Sequence, residues 1–359
     1  LWPKDIPTRP IISGNSLRDL SPKAESRGNS SAENDTGNDF WNGTENDTGN
    51  NPDDSPGKTG TTIWNMDAVI TYVNGLDSVW QSEYSKCVGM ETFLEKRFRD
   101  WGTLKYLLRG ICVNMPFVRN VYLVVSGDTQ VPSWVDREQL RIVRHSDIIP
   151  SELLPVFNSQ AIEMFLHRIE GLDEEFLYFN DDFFPMLPCS EEDFFIGGRP
   201  CHHMSRHWLT LGNDFRFVVK RSFRFACEVA GLVPPAYYLR PQHTVSPMLR
   251  SLCEELYSSR EREILSSVTP LRENCNYNQY IFSDYIYLKG KAACRKISNK
   301  HFSLAVAGIG QMEKFIDSPT CKIVCINDVK IPDSKYQSYR TRLLAAFGRR
   351  FPDPCRFEL

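Results

Sequence analysis

The sequence predicts an α/β domain with a Rossmann-like, mostly parallel sheet flanked by helices, preceded by a disordered N-terminal tail. Two observations lead to this fold class: apolar, β-branched segments alternate with helical segments after residue 63, and each predicted strand ends in a polar loop. The tail is predicted because residues 21–62 hold few apolar side chains. We therefore divide the 359-residue chain into a tail, residues 1–62, and a folded domain, residues 63–359.

The first predicted strand is a buried one, because residues 66–73 are mostly apolar and β-branched and the Asn74-Gly75 pair then breaks the run. Apolar residues at helical spacing predict a helix over residues 99–113. The remaining elements are predicted, in chain order, at residues 120–126 (strand), 141–144 (strand), 159–166 (helix) and 176–179 (strand). Parallel strands in this order bind ligands at their carboxyl ends, so the polar loops after them are the predicted site.

The segment from residue 21 to residue 62 is rich in Ser, Asn, Asp, Gly, Thr and Pro. Such a segment cannot bury enough apolar surface to offset the entropy that ordering would cost. It contains four Asn-x-Ser/Thr triplets, which begin at Asn29, Asn34, Asn42 and Asn46. We interpret these as glycosylation sites on an exposed stalk in a secretory lumen; plain low-complexity bias is the alternative interpretation.

Composition and charge limit the function classes. A formal net charge of −3 argues against a nucleic-acid-binding protein, because a surface that tracks phosphates needs a basic excess. No segment reaches the run of about 18 apolar residues that a membrane span requires. Because the chain begins at Leu1, we expect a membrane anchor upstream of it. Eleven cysteines suit a secretory protein, and their odd number leaves at least one outside an intramolecular disulfide.

The polar loop after the fourth predicted strand carries the sharpest chemical signal. Asn180, Asp181 and Asp182 follow an apolar strand, and their side-chain oxygens are ligands that Mg²⁺ and Mn²⁺ prefer. A second pair, Asn327 and Asp328, follows another apolar run. We expect these five residues to bind a divalent cation. The alternative is two ordinary turns, which Asn and Asp also favour.

Other motifs argue against competing chemistries. The chain has no Gly-rich P-loop and no Gly-x-Ser-x-Gly nucleophile motif. His202, His203 and His207 lack the spacing of a metal site, so we interpret them as ordinary surface or hydrogen-bonded histidines. Cys321 and Cys325 have no second cysteine pair at zinc-binding spacing, which favours a disulfide or buried thiols. Phosphate chemistry in this chain would therefore depend on a metal ion, arginine and histidine.

Several segments of the chain, taken in order, resemble the Stealth family. They are residues 66–77, 97–128, 153–184 and 325–334, together with a Phe-Pro-x-Pro-x-x-Phe-Glu segment at residues 351–358. The family includes bacterial capsular polysaccharide phosphotransferases and the α/β precursor of the lysosomal-enzyme N-acetylglucosamine-1-phosphotransferase. Tyr72 is a departure, since most members have Trp there. The resemblance implies that residues 63–359 are a catalytic domain that transfers a sugar 1-phosphate from a nucleotide sugar to a hydroxyl, releasing a nucleoside monophosphate.

The resemblance also implies site residues, matched by position. The substrate-binding positions correspond to Asp67, Asn74, Gly75, Asp77, Arg97, Asp100, Asn158 and Ser159. The family's catalytic His corresponds to His243, and an Arg ahead of an aromatic-rich helical run corresponds to Arg272. Arg272 would clamp phosphoryl oxygens in a bidentate manner. Either His243 or Asp182 would take the proton of the acceptor hydroxyl, and direct transfer and a phospho-enzyme are both open.

The resemblance gives the substrates only in outline. Family members use donors of the UDP-N-acetylglucosamine or GDP-mannose type. The sequon-rich tail suggests a Golgi enzyme. No recognition module is inserted between the Stealth-like segments, so we expect the acceptor to be a glycan. Whether the enzyme forms a homodimer is left open. Two rival functions also stay open. One is a metal-dependent glycosyltransferase that transfers only the sugar, and the other is a non-catalytic carbohydrate-binding ectodomain.

Overall fold

The residues that the computed structural model describes are 66–89, 96–208, 214–328 and 330–359. The predicted tail and its four sequons lie outside these ranges, as does the side chain of Arg97. The strands are β1 (Met66–Thr71), β2 (Val118–Val125), β3 (Arg141–Arg144), β4 (Glu175–Asn180), β5 (Phe183–Pro185), β6 (Phe195–Ile196), β7 (Arg199–Pro200), β8 (Met204–His207), β9 (Tyr238–Pro241), β10 (Ser246–Leu249), β11 (Asn299–Ser303) and β12 (Ile323–Asn327). The helices are α1 (Ser78–Val88), α2 (Leu104–Asn114), α3 (His145–Ile148), α4 (Ser159–Glu163), α5 (Asp214–Val229), α6 (Arg250–Ser259), α7 (Glu261–Ser267), α8 (Tyr280–Leu288), α9 (Leu304–Ala307), α10 (Ile309–Asp317) and α11 (Asp333–Arg350).

The central sheet has five strands in the order β10-β4-β1-β2-β3. Strands β1 to β4 run parallel to their neighbours, and the antiparallel β10 forms one edge beside β4. Strand β1 is buried at all six positions, as expected at the centre of a sheet that is covered on both faces. The structure therefore confirms the predicted α/β fold with a mostly parallel sheet flanked by helices.

Side chains of the central strands alternate between two apolar cores, one on each face of the sheet. In β1, Ala68 and Ile70 face the core formed with α2, α10 and α11, whereas Val69 faces the core formed with α4 to α8. Strand β4 alternates in the same way, with Leu177 on the first face and Phe176 on the second. Because strand side chains have a period of two, each strand supplies both cores and fixes the helices around it.

Several predicted boundaries differ from the observed ones for local reasons. Helix α2 begins at Leu104 rather than at residue 99, because Oδ1 of Asp100 accepts a hydrogen bond from the Gly102 N–H at 2.8 Å and forms a turn. Helix α4 ends at Glu163, and a separate short 3₁₀ helix follows at Leu166–Arg168. Strand β10 was not predicted, since a four-residue segment that includes a proline gives little strand signal.

A second sheet of three strands, in the order β11-β12-β5, extends the fold beyond β4. Its strand β5 starts immediately after Asp182 and pairs antiparallel with β12. The C-terminal segment, with its Phe-Pro-x-Pro-x-x-Phe-Glu motif, packs on the far side of α2. There the Arg109 guanidinium donates two hydrogen bonds to the Glu358 carboxylate, at 2.6 and 2.7 Å. The motif thus anchors the C-terminus and lies outside the predicted site.

Candidate active site

A cavity of about 570 Å³ opens at the carboxyl ends of β1 and β4. The strand order changes direction between these two strands, because β2 lies on one side of β1 and β4 on the other. Thr71 at the end of β1 is paired with Asn180 at the end of β4, so both loops leave the sheet at the same level. This is the crevice in which open α/β sheets bind their ligands.

The two predicted Asn-Asp segments meet in the wall of this cavity. Asp181 and Asp182 follow β4, and Asn327 and Asp328 follow β12. Pairing of β5 with β12 brings the segments together, and the Ile326 N–H donates to the Asp182 carbonyl at 3.0 Å. All five predicted metal ligands therefore line one cavity.

The carboxylates in this wall raise one another's pKa values. Burial raises the pKa of Asp181 well above its ordinary range, and the charges of Asp182, Asp328 and Asp100 add to the effect. Burial also raises the pKa of Asp182 to about 6, with a further contribution from Asp328. Within the described residues, Oδ1 of Asp182 is buried and has no hydrogen-bond partner. Concentrated carboxylate charge with an unsatisfied oxygen fits a divalent cation with oxygen ligands.

His243 lies beside the acidic wall and is held on both ring nitrogens. Its Nδ1 is 3.2 Å from the Tyr280 hydroxyl, and its Nε2 is 3.8 Å from Sγ of Cys325. The Cys325 thiol in turn donates to Oδ2 of Asp182 at 3.3 Å. Burial, together with His301 and Arg240, lowers the pKa of His243 to about 4. The imidazole is therefore neutral near pH 7 and has a lone pair that can accept a proton.

Arg272 reaches the cavity from an exposed loop that α4 holds in place. Its guanidinium donates to Oγ of Ser159 at 2.7 Å. Asn158 fixes this loop: its Nδ2 donates to the Leu271 carbonyl at 3.2 Å, and its Oδ1 caps α4 by accepting from the Gln160 N–H at 3.1 Å. Ser159 thus lines the cavity, whereas the buried Asn158 acts by positioning the arginine loop.

Four predicted site residues from the first Stealth-like segment, residues 66–77, are not among the residues that line the cavity. Asn74, Gly75 and Asp77 form the loop between β1 and α1, where Asp77 caps the helix and accepts a 2.8 Å hydrogen bond from Gln130. Asp67 lies at the opposite end of β1, fully buried, and accepts hydrogen bonds from Asn120 and from the Asp173 N–H. These contacts shape the scaffold, and a role of the four residues in substrate binding stays a prediction.

Asp100 occupies an intermediate position behind the acidic wall. It lines a small adjoining cavity of about 60 Å³ together with Asp181, Asp182 and Asp328. Its carboxylate is hydrogen-bonded to Tyr72, and burial raises the pKa of the Tyr72 phenol, with further contributions from the charge of Asp100 and from this hydrogen bond. Asp100 therefore adds negative charge next to the wall from the adjoining cavity.

Several cavity residues were missed by sequence reasoning. Among them are Glu163, Arg240, Tyr280 and His301. Glu163 is buried at the end of α4, where its Oε2 accepts the Gln279 N–H at 2.7 Å and burial raises its pKa to about 7. A carboxylate inside the apolar run Ala161–Leu166 was the one sequence signal that pointed to it.

A carboxylate cluster with His and Arg at the switch point of a parallel sheet is the arrangement of an α/β enzyme that acts on a phosphorylated substrate. The family model described as Stealth protein CR2, conserved region 2, matches residues 97–201. This range includes the segments 97–128 and 153–184, so both belong to one conserved region. The receptor polysaccharide phosphotransferase WefC of Streptococcus oralis is 32% identical over 338 residues, which cover 82% of this chain and 99% of WefC. The capsular polysaccharide phosphotransferase WcwK of Streptococcus pneumoniae is 31% identical over 335 residues, covering 82% and 99%. The chain belongs to the Stealth family of sugar-phosphate transferases.

Two solved structures resemble the chain more distantly. The apo-form glycosyltransferase GlyE of Streptococcus pneumoniae has a TM-score of 0.36 and 9% identity, covering 81% of this chain and 65% of GlyE. Mouse xyloside xylosyltransferase 1 has a TM-score of 0.35 and 12% identity, covering 73% of this chain and 97% of that protein.

No helix in the described ranges is long and apolar enough to span a bilayer. All eleven cysteines lie in those ranges, and none is in a disulfide; Cys321 and Cys325 are buried thiols. The relatives named above are bacterial, so they give no support to a Golgi location.

Proposed function

We propose that this Stealth-family enzyme transfers a hexose 1-phosphate, of the N-acetylglucosamine or mannose type, from a nucleotide diphosphate sugar to a glycan hydroxyl. The observation that carries the proposal is the single cavity that unites Asp181 and Asp182 with His243 and Arg272. Positioning and charge stabilisation are what phosphoryl transfer mainly needs, and these side chains supply both.

The reaction exchanges one phosphorus–oxygen bond for another. The acceptor oxygen bonds to the phosphorus that carries the sugar, and the bond from that phosphorus to the bridging diphosphate oxygen breaks. The nucleoside monophosphate leaves with the bonding electron pair, the acceptor loses its hydroxyl proton, and the product is a phosphodiester. A glycosyltransferase would instead break the sugar–oxygen bond and release a nucleoside diphosphate.

Asn180, Asp181, Asp182, Asn327 and Asp328 would hold Mg²⁺ or Mn²⁺. When bound, such a cation neutralises the diphosphate and stabilises the departing monophosphate. Arg272 places a planar guanidinium in the lining of the same cavity, where it can donate to two phosphoryl oxygens at once.

We assign the proton of the acceptor hydroxyl to His243. Its low pKa keeps the imidazole neutral at physiological pH, so one of its two ring nitrogens carries a lone pair that can take a proton. Asp182 is the competing base, but it is the residue whose unsatisfied oxygen and carboxylate neighbours fit cation binding. The geometry therefore favours His243 as the residue that accepts the proton and Asp182 as a ligand of the cation.

The finer assignments rest on sequence features. The four sequons at Asn29, Asn34, Asn42 and Asn46 support a glycosylated enzyme in the secretory pathway, with the Golgi lumen as the proposed location. Treatment of the protein from its native cells with an N-glycosidase should then reduce its apparent mass. A glycan acceptor fits an exposed cavity whose wall includes aromatic as well as acidic side chains.

The proposal is tested by incubating the full chain with a panel of UDP-, CDP- and GDP-linked sugars, Mg²⁺ and a mixture of oligosaccharide acceptors. We expect one donor to release nucleoside monophosphate in an acceptor-dependent manner, and Asp182→Asn to release none. Acceptor-dependent release of nucleoside diphosphate would contradict the proposal and favour a glycosyltransferase.

A further inference from the structure

A second group of ligand-type side chains lies next to the acidic wall. Nitrogen atoms of His243 and His301 and the sulfur of Cys325 all lie within 4.8 Å of one another. Among the residues that the structure describes, no other three His, Cys, Asp or Glu side chains form so tight a group. The acidic loops predicted from sequence include none of these three residues.

The three-stranded sheet holds this group together. Strands β11 and β12 run parallel with His301 opposite Cys325, so both side chains leave the same face of adjacent strands. On the other side of β12, Cys325 is opposite Phe183. The His243 ring packs on Phe183 with the ring centroids 5.1 Å apart and on His301 at 5.8 Å. Strand register therefore fixes His301 and Cys325, and ring packing on Phe183 and His301 places His243, which lies between β9 and β10.

The hydrogen bonds already orient His243 as a metal ligand. Nδ1 faces the Tyr280 hydroxyl at 3.2 Å, which leaves Nε2 directed at the Cys325 sulfur. Metal-binding histidines have such a partner on the second nitrogen, because it fixes the tautomer and the ring orientation. Oδ2 of Asp182, 3.3 Å from the same sulfur, is an oxygen available beside the group.

Two imidazoles and one thiolate form a donor set that differs from the acidic wall. Nitrogen and sulfur ligands select borderline ions such as Zn²⁺, whereas Mg²⁺ and Mn²⁺ prefer oxygen. Three protein ligands also match the number that a zinc ion with one open position uses. His301 is solvent-exposed while Cys325 is buried, so an ion can approach from solvent on the His301 side.

We propose that His243, His301 and Cys325 bind a zinc-type transition-metal ion, and that the bound ion inhibits the transferase. Binding converts the Cys325 thiol to a thiolate and releases its proton to solvent. The inhibitory part rests on the proposed function, because the ion would take the His243 lone pair that accepts the proton of the acceptor hydroxyl. Inhibition would then operate through the base, independently of the oxygen-ligated cation.

Titration of the full chain with Co²⁺ in the presence of excess Mg²⁺ tests the site without any need for activity. We expect one Co²⁺ per chain with a near-ultraviolet thiolate-to-cobalt absorption band, displaced by Zn²⁺. Cys325→Ser should abolish the band, His301→Ala should weaken binding strongly, and Tyr280→Phe should weaken it by about 10–100-fold. The matched controls Cys321→Ser and His203→Ala should bind as the wild type does.

Absence of the band in the wild type, or its survival in Cys325→Ser that is folded by circular dichroism, overturns the site. Turnover of the wild type in excess Mg²⁺ is then measured while Co²⁺ fills the site, with occupancy read from growth of the cobalt band. We expect activity to fall in proportion to occupancy. Full activity at full occupancy overturns the inhibitory part of the proposal. A chain that has no turnover with any donor still gives the metal-binding result. Failure of the proposed function can therefore be told apart from failure of the metal site.

Discussion

Nη2 of Arg272 donates a hydrogen bond to Oγ of Ser159 at a distance of 2.7 Å. Ser159 is the first residue of α4, and Asn158 before it holds the backbone of the Arg272 loop. Ser159 thus contacts the Arg272 side chain directly, and Asn158 holds the loop that carries Arg272. Together the two residues position this exposed arginine at the cavity. This arrangement brings Ser159 into contact with Arg272 although 113 residues separate the two in sequence.

Replacing Arg272 with lysine should slow the reaction with little change in donor affinity. Lysine keeps the charge but loses the planar fork, so contacts that strengthen in the transition state are lost. We expect kcat to fall by about 10²–10³-fold, the scale for removing one preorganised donor. Steady-state kinetics check this, with the exposed Arg262→Lys as the control. An increase in KM at unchanged kcat would mean that Arg272 only binds the donor.

Replacing His243 with alanine should remove the acidic limb of the pH–rate profile. A base must be unprotonated to act, so the wild-type rate should fall as the pH drops through about 4, the pKa of His243. We expect His243→Ala to reduce kcat/KM by about 10²–10⁴-fold and to eliminate that limb. The exposed His203→Ala serves as the control. A profile of unchanged shape in His243→Ala would transfer the base role to Asp182.

Asp181→Asn and Asp182→Asn should each abolish turnover while the protein stays folded. Each removes a carboxylate from a wall in which carboxylates raise one another's pKa values, so the loss of charge does not weaken the fold. In the wild type, Mg²⁺ should raise Tm by binding the folded state, and EDTA should abolish activity. Both variants should lose the Mg²⁺-dependent shift in Tm, whereas the exposed Asp353→Asn should keep it. Full wild-type activity in metal-free buffer would exclude the cation assignment.

Glu163 should make the protein less stable as pH rises. Burial raises its pKa from 4.5 to about 7, so the folded state favours the protonated carboxyl. That contribution is fully present below the unfolded-state pKa near 4.5 and is lost as pH rises through about 7. Between pH 5 and pH 8, we expect the free energy of unfolding of Glu163→Gln to fall by roughly 2 kcal/mol less than that of the wild type. Denaturant titrations at several pH values measure this, with the exposed Glu170→Gln as the control, and an unchanged slope in Glu163→Gln would contradict it.

The central strands and the acidic wall were predictable from sequence because their signals are local. An apolar, β-branched run followed by Asn and Asp marks both the strand and the polar loop at its carboxyl end, as at β4 and β12. The resemblance to the Stealth family then added His243 and Arg272, which have no local signature. Together these steps reached all five Asn and Asp residues of the acidic wall and two basic residues of the cavity, but they missed Arg240 and His301.

The remaining features depend on register and on long-range pairing. Asp67 was predicted as a substrate contact because it lies in a segment that matches the family, and the structure places it near the start of β1, at the other end of the strand from the cavity. His301 could not be linked to Cys325, since only the pairing of β11 with β12 puts them side by side. The antiparallel β10 was missed because its four residues include a proline and its partner β4 lies some seventy residues earlier.

The fate of the sugar-linked phosphate tests the central claim most directly. A nucleotide sugar labelled in that phosphate is incubated with the enzyme, Mg²⁺ and the glycan acceptor, and the label is followed after separation of nucleotides from glycans. Transfer of a sugar 1-phosphate predicts labelled glycan and an unlabelled nucleoside monophosphate. Label that stays in a released nucleoside diphosphate, with unlabelled sugar on the glycan, would contradict the account.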